Sequence, residues 1–495
     1  MKLKNSKSQI TNPNILHSGH WSRVLGRSRK GSLLMFLIVF GSIGILLIAG
    51  LVQWSLYQVR LSRQRSFREK AFEVAEAGIE YYRWHLAHAP EDFLDGGEEA
   101  GPFVHPYYDK SGARIGEFTL DITPPAVGST MVTLTSAGIT DEYPNSARVL
   151  RARYAVPSLA KYAIASNAHV RIGENTEVFG PIHSNGGIRF DGVAHNLVTS
   201  AQSAYNDPDH DGSDEFGVHT HVNPVDPIPP AAIPSRPDVF MTGRIFPVPA
   251  IDFAGITADL AELRTLAIGE LSYFAPSGKE GYRITLNANG TYTVESVDSL
   301  ISPPIDCTNT QGQAGWGTWS VGATSLVGTY AFPPSGVIFS EDHLWVEGVV
   351  DRARLTIVSA KFPEDPSTNT SITINNDLRY TAYDGSSSVG LIAQNNINAG
   401  LKSEDDLRID AALVAKNGRA GRYYYSSTCG TEYKRAVLTL WGMIASNLRY
   451  GFAYTNGTGY LLRYLDYDSA LLYGPPPSFP LTSEQYQIVS WEEVK

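Results

Sequence analysis

The chain has 495 residues, 43% of them hydrophobic and 18% charged, and carries a formal net charge of -10. That length suits roughly two to four domains of a globular protein, and the composition is not that of a disordered one. The acidic balance lacks the basic face that a nucleic-acid binder sets against phosphates, and two cysteines are too few for a cysteine-held zinc cluster.

The chain opens on a basic leader, residues 1–31, with Lys2, Lys4, Lys7, Arg23, Arg27, Arg29 and Lys30 and no acid. Residues 32–54, SLLMFLIVFGSIGILLIAGLVQW, form an uncharged apolar run long enough to cross a bilayer as a helix. The positive-inside rule keeps the leader in the cytoplasm, although Arg60, Arg63, Arg65 and Arg68 follow the run. The expectation is a single pass of the cytoplasmic membrane, N-terminus inside, with the C-terminal bulk extracytoplasmic or on the cell surface. Nothing breaks a helix from there to His88, and Pro90 ends it. Val74, Ala75, Gly78, Ile79 and Tyr82 extend one apolar stripe past the membrane, as in a helix built to pack on other helices or on its own head.

Arg29-Lys30-Gly31, the long apolar helix, and AFEVAEAGIEYY at residues 71–82 together resemble the N-terminal region of type IV pilin-like proteins, especially PilX-type minor pilins. The resemblance covers about 60 residues, and the run at 71–78 is its most specific part. It implies a prepilin-peptidase cut between Gly31 and Ser32, membrane anchoring, and other pilin-like subunits of a pilus or pseudopilus as partners of the helix. The fifth residue after that cut is Phe36, where major pilins carry a glutamate.

Alternating segments at residues 116–123, 131–138 and 148–156 predict a small antiparallel sheet laid on the helix, within a domain at 91–157. From about residue 160 a hexamer recurs: YAIASN at 162–167, GPIHSN at 180–185, GLIAQN at 390–395, ALVAKN at 412–417 and GMIASN at 442–447. Neighbouring copies and related strands lie about 16 to 22 residues apart, which suits one coil of a parallel β-solenoid. Ile164, Ile182, Ile338, Ile392, Val414 and Ile444 are expected to align along its core, with corner asparagines stacked in a ladder. His183 then takes the place where Ala165, Ala393, Ala415 and Ala445 stand in sister coils, which makes GPIHSNGG scaffold rather than a ligand loop. The expected fold is mainly β. It comprises the helix 32–90, the small sheet, a solenoid at 158–200 and 336–447, an inserted α+β subdomain at 201–335 with an acidic loop and a proline-rich link, and a capping tail at 448–495.

Asp207, Asp209, Asp211 and Gly212 fit the first half of an EF-hand-like loop, and Asp214 or Glu215 could stand in for the missing ligand at Val218. Calcium is the cofactor such a loop would take; the alternative is a solvated acidic turn. His219 and His221 on an extended chain put two imidazoles on one face, but no further ligand stands beside them at a recognisable spacing, and with His210 they read as a polar loop. Cys307 and Cys429 could form a disulfide outside the cytoplasm. Asp377 and Asp410 pair with nothing at matching coil phase, so no enzyme is expected. Tyr423, Tyr424 and Tyr425 beside Arg422 could bind a sugar or protein but fit a loop packed on the coils better. The leading expectation is a structural, assembly or adhesion protein; a carbohydrate-binding or carbohydrate-active β-helix with a surface glycan or protein ligand, and an envelope scaffold with no filament role, are the alternatives.

Overall fold

The computed structural model describes residues 32–125, 129–174, 176–210, 212–253, 256–482 and 485–494. Gly31 and Asp211 lie outside the described residues. The chain divides into two compact units, one up to Phe67 and one from Arg68 onward. A single helix, α1 (Ser32–His88), contributes to both. In the first unit its side chains are almost all exposed, and an 18-residue window reaches a mean hydropathy of 2.7, so the helix is long and apolar enough to span a membrane.

The second unit is mainly β. Its small sheet has antiparallel strands β1 (Phe103–Tyr108), β2 (Arg114–Thr123), β3 (Val132–Thr140) and β4 (Tyr143–Ala155), in that order, and a fifth strand, Gln487–Val494, pairs with β4. Phe118 and Leu120 of β2, Val132 and Leu134 of β3, and Leu150 and Ala152 of β4 bury one face against Val74, Ala75, Ile79 and Tyr82 of α1. Two glycines let the layers meet. A Cβ on Gly78 would lie 2.3 Å from Ser136 Oγ, and one on Gly138 would lie 2.3 Å from the backbone oxygen of Ala71. The glycine of the 71–78 run is thus a packing residue. Strand β1 is an edge strand carrying Pro106, and its burial alternates only between half-buried and exposed, with no fully buried position.

From residue 158 the chain builds parallel ladders. One runs through Tyr273–Phe274, Val337–Ser340, Arg354–Ser359, Ser388–Ala393, Asp406–Ala415, Lys434–Ser446, Ile164–Ser166, Ile182–Ser184, Val198–Ser200 and Arg244–Ile245. Two features differ from the sequence expectation. First, the early strands follow the late ones: Ile164 pairs with Ile444, so residues 158–200 extend the far end of the 336–447 ladder. Residues 201–335 are therefore not a simple insertion, since 244–245 and 273–274 cap opposite ends of this ladder.

Second, the aligned row is Ile338, Ile357, Leu391, Leu413, Ile444, Ile164, Ile182 and Val198. Ile392 and Val414 stand one residue off, in the row of Phe339, Val358, Ala445, Ala165 and His183. The cause is burial on both faces. The first row faces an inner core, while the second packs against Leu260, Leu263 and Ala267 of helix α2 (Ile256–Gly269) and against Leu471 and Phe479. Strands covered on both sides read as continuous apolar runs, and a one-residue slip is then invisible in sequence.

The asparagine ladder exists where the register permits it. Asn185 Nδ2 donates to Asn167 Oδ1 at 2.7 Å, and Asn167 Nδ2 donates to Asn447 Oδ1 at 2.7 Å. The tail after residue 448 divides: Gly459–Tyr467 extends the ladder beside Lys434–Ser446, whereas Gln487–Val494 leaves the stack for the small sheet. Only its first part joins the parallel ladder.

Candidate functional site

The acidic loop at residues 206–215 closes on itself beside a short ladder of Val170–Ile172, Ile188–Phe190 and Val218–His219. Ala204–Tyr205 pairs antiparallel with Glu215–Phe216, which brings Asp207 back over Glu215. His219 ends its strand, and His221, two residues on, shares its face. Asp207, Glu215, His219 and His221 each place one ligand atom within 4.8 Å of all the others.

Asp209 and Asp214 of the expected calcium loop do not join them. Asp209 Oδ2 sits 2.7 Å from Arg449 Nη2 and 3.6 Å from Arg171 Nη1. Burial alone would raise its pKa, but the Arg449 hydrogen bond and charge hold it below the usual range. Asp214 is exposed, and Asp211 lies outside the described residues. Of the acids named from sequence for a calcium loop, Asp207 and Glu215 belong to the cluster among the described residues. The His-x-His pair, which spacing alone did not unite with them, supplies the rest. The signal that could have found them is the Asp211-Gly212 turn dipeptide between Asp207 and Glu215, but the strands flanking it are only two residues long and show no period.

Several atoms of the cluster are buried without a hydrogen bond: Asp207 Oδ2, Glu215 Oε2 and His219 Nε2. His219 Nε2 approaches Glu215 Oε2 to 2.5 Å and Asp207 Oδ2 to 3.7 Å. Its other ring nitrogen, Nδ1, is 3.2 Å from the Phe216 carbonyl oxygen. Burial pushes the His219 pKa down, against the opposing pull of Glu215, so the ring is neutral near pH 7.

His183 is only 1% exposed and is held by side chains on two sides. Nδ1 lies 3.0 Å from Thr199 Oγ1 and Nε2 lies 3.0 Å from Asn185 Oδ1. Nothing about it opens to a ligand. Arg422 is equally structural: fully buried, it donates to Ser403 Oγ and to the carbonyls of Gly400, Leu401 and Glu432, with Tyr425 and Tyr460 flanking the guanidinium. Tyr423 and Tyr425 are buried with it. Cys307 and Cys429 are joined by a disulfide in this region.

A groove of about 510 Å³ lies beside these tyrosines, lined by Trp319, His343, Asn369, Asn396, Arg419 and Tyr423 among others. Trp319 is held at φ 52°, costly for so bulky a residue, by Trp345 Nε1 and Asn375 Nδ2 donating to its carbonyl at 3.0 and 2.8 Å. On another face, Asp377 accepts the Arg408 N–H at 2.7 Å, and burial together with the Asp377 charge raises the Glu404 pKa. Asp377 is thus not isolated, as its sequence context suggested. Asp410 accepts from Tyr380 N, Tyr383 Oη and Arg408 Nε at 2.7–2.9 Å and is fully buried, a scaffold carboxylate.

No protein-family model and no curated protein matches the chain. Among solved structures it is similar to the competence-associated pilin ComZ from Thermus thermophilus, with 14% identity over 86% of this chain and 98% of that one. The TM-score is 0.29, too low to show a shared fold.

Proposed function

We propose that the chain is a membrane-anchored, pilin-like minor subunit of a pilus or pseudopilus that carries a β-solenoid head outside the cytoplasmic membrane. The observation that carries this reading is one uninterrupted helix, Ser32–His88, used in two ways. Its first half is apolar and exposed; its second half is roofed by an antiparallel sheet through Gly78 and Gly138. An anchor needing only to hold a head in a membrane would not require the helix to become a core element of that head. The Cys307–Cys429 disulfide supports an oxidising compartment for the head. Mass spectrometry of the mature N-terminus from native membranes tests the reading. A chain beginning at Ser32 is expected, and a cysteine introduced at Phe36 should cross-link to other pilin-like subunits. Intact Met1 on a chain that cross-links to nothing would leave a plain anchor.

A second reading concerns what the head meets. The groove at Trp319 supports adhesion to a surface glycan, because its lining offers aromatic rings, amides and an arginine rather than paired acids. Trp319→Ala should then weaken retention of the detergent-solubilised chain on immobilised polysaccharide at least about tenfold, as for removal of a central aromatic anchor. Equal retention of both proteins on every polysaccharide tried would remove this reading while leaving the first in place.

A further inference from the structure

We infer that Asp207, Glu215, His219 and His221 form a closed site for one zinc ion. The starting point is an imbalance among buried polar atoms. Asp207 Oδ2, Glu215 Oε2 and His219 Nε2 have no hydrogen-bond partner, and all belong to side chains that are less than a tenth exposed. A buried polar group left so keeps its full desolvation penalty, and three converging on one point need a common partner. Hydrogen bonding among themselves does not supply it. The 2.5 Å approach of His219 Nε2 to Glu215 Oε2 is not aligned as a hydrogen bond, as when both atoms point at a third.

Charge and donor type select the partner. Two carboxylates bring two negative charges into a buried loop. The nearest guanidinium, Arg189, has Nε committed to Asp191 at 2.7 Å and reaches Asp207 only at 3.5 Å. A divalent cation balances the pair. Calcium takes six to eight oxygens, whereas two imidazoles with two carboxylates are the nitrogen and oxygen donors of a four-coordinate zinc site. Four protein donors fill that shell and leave no open position, so the role is to fasten the 207–221 loop rather than to activate water.

The surroundings fit. His219 Nδ1 faces the Phe216 carbonyl at 3.2 Å, which fixes the tautomer that leaves Nε2 free to bind a metal. His221 Nε2 stands 2.7 Å from Glu215 Oε1, and its backbone N–H donates to Asp191 at 2.8 Å, which ties the loop to the acid that also holds Arg189. His210, half exposed and 3.4 Å from Glu215, stands at the rim.

The test uses the untagged full-length chain in detergent. After purification without chelator, elemental analysis should find about one zinc per chain. Dialysis against EDTA should lower the melting temperature, and zinc chloride, not calcium chloride, should restore it. Cobalt(II) added to the stripped protein should give the visible bands of a four-coordinate ion. His219→Gln and Asp207→Asn should weaken zinc binding at least about tenfold, while Asp209→Asn should leave it unchanged. If the ligand variants do not fold, metal content and the cobalt spectrum of the unmodified chain decide. Zinc-free protein whose melting temperature ignores added zinc, recovery with calcium alone, or loss of zinc in Asp209→Asn as large as in Asp207→Asn would each overturn the assignment.

Discussion

His183 is buried in the ladder, in the row one residue off the aligned one. Its neighbours in the row are Ala165 and Ala445, as the repeat suggested, but also Val414 and Ile392 instead of the alanines next to them. The imidazole occupies a methyl position because Thr199 and Asn185 give both ring nitrogens a partner. Burial pushes its pKa below the ordinary 6.5. The unfolded chain therefore takes up a proton that the folded chain refuses, and the contribution is fully present above pH 6.5 and shrinks as pH falls below it. Buried His219 and the half-buried His169 and His343 shift the same way. His183→Ala should cost about 1–2 kcal/mol at neutral pH, since Thr199 and Asn185 keep other bonds, and should flatten the fall in stability toward about pH 5. Urea unfolding of both proteins across that range measures it; an unchanged slope would mean that the ring takes up its proton alike in the folded and the unfolded chain. The same scale marks where sequence reading stopped at the metal cluster. A His-x-His pair is visible as a pair, but its carboxylates arrive through a hairpin of two-residue strands, too short to show a period.

Elements were legible in proportion to how one-sided their burial is. Strands β2, β3 and β4 alternate because one face meets α1, and their positions could be read within a few residues. The ladder strands, covered inside and out, announced their existence through the hexamer but hid their register. The helix–sheet contact itself depends on bare backbone. At Gly138 a methyl group would meet Ala71 and Ala75 of the helix backbone, which cannot move aside as a side chain can. Gly138→Ala should therefore destabilise the small domain by about 1–3 kcal/mol, whereas Gly173→Ala, with nothing near its Cβ, should be close to neutral. Thermal melts of the two variants side by side check this, and equal melting points would refute the close approach. The disulfide acts on a larger loop: Cys307 and Cys429 are 122 residues apart. Replacing both by serine should cost about 2–5 kcal/mol, because the unfolded chain regains the freedom of that loop. Reduction of the unmodified protein should produce the same loss in denaturant titrations and none in the serine variant.

At the scale of the whole molecule, spatial order departs from chain order twice, and repeats carry no information about either departure. A repeat states that units stack; it does not state which unit follows which. Ile164 could not be assigned beside Ile444 by spacing, nor Gln487–Val494 beside β4, because pairing partners separated by hundreds of residues leave no local trace. The second departure is testable. The final strand covers the edge of β4: Glu493 pairs with Arg148, Glu492 Oε1 lies 3.5 Å from Arg151, and Trp491 packs edge-on against Phe72 of α1 with ring centroids 5.8 Å apart. Without it, β4 becomes an exposed edge, and a sheet that shields the helix loses one of its five strands. The ladders lose nothing by the same deletion, since Gly459–Tyr467, Leu471 and Phe479 remain in place on the coils. Removing residues 486–495 should therefore make residues 91–157 sensitive to limited proteolysis while the body from 158 to 482 resists as before. Peptide mapping of the fragments distinguishes the outcomes. Cleavage spread evenly through both regions would mean that the small sheet and the ladders stand or fall together, and no new cleavage would mean that the strand is dispensable to the sheet it completes.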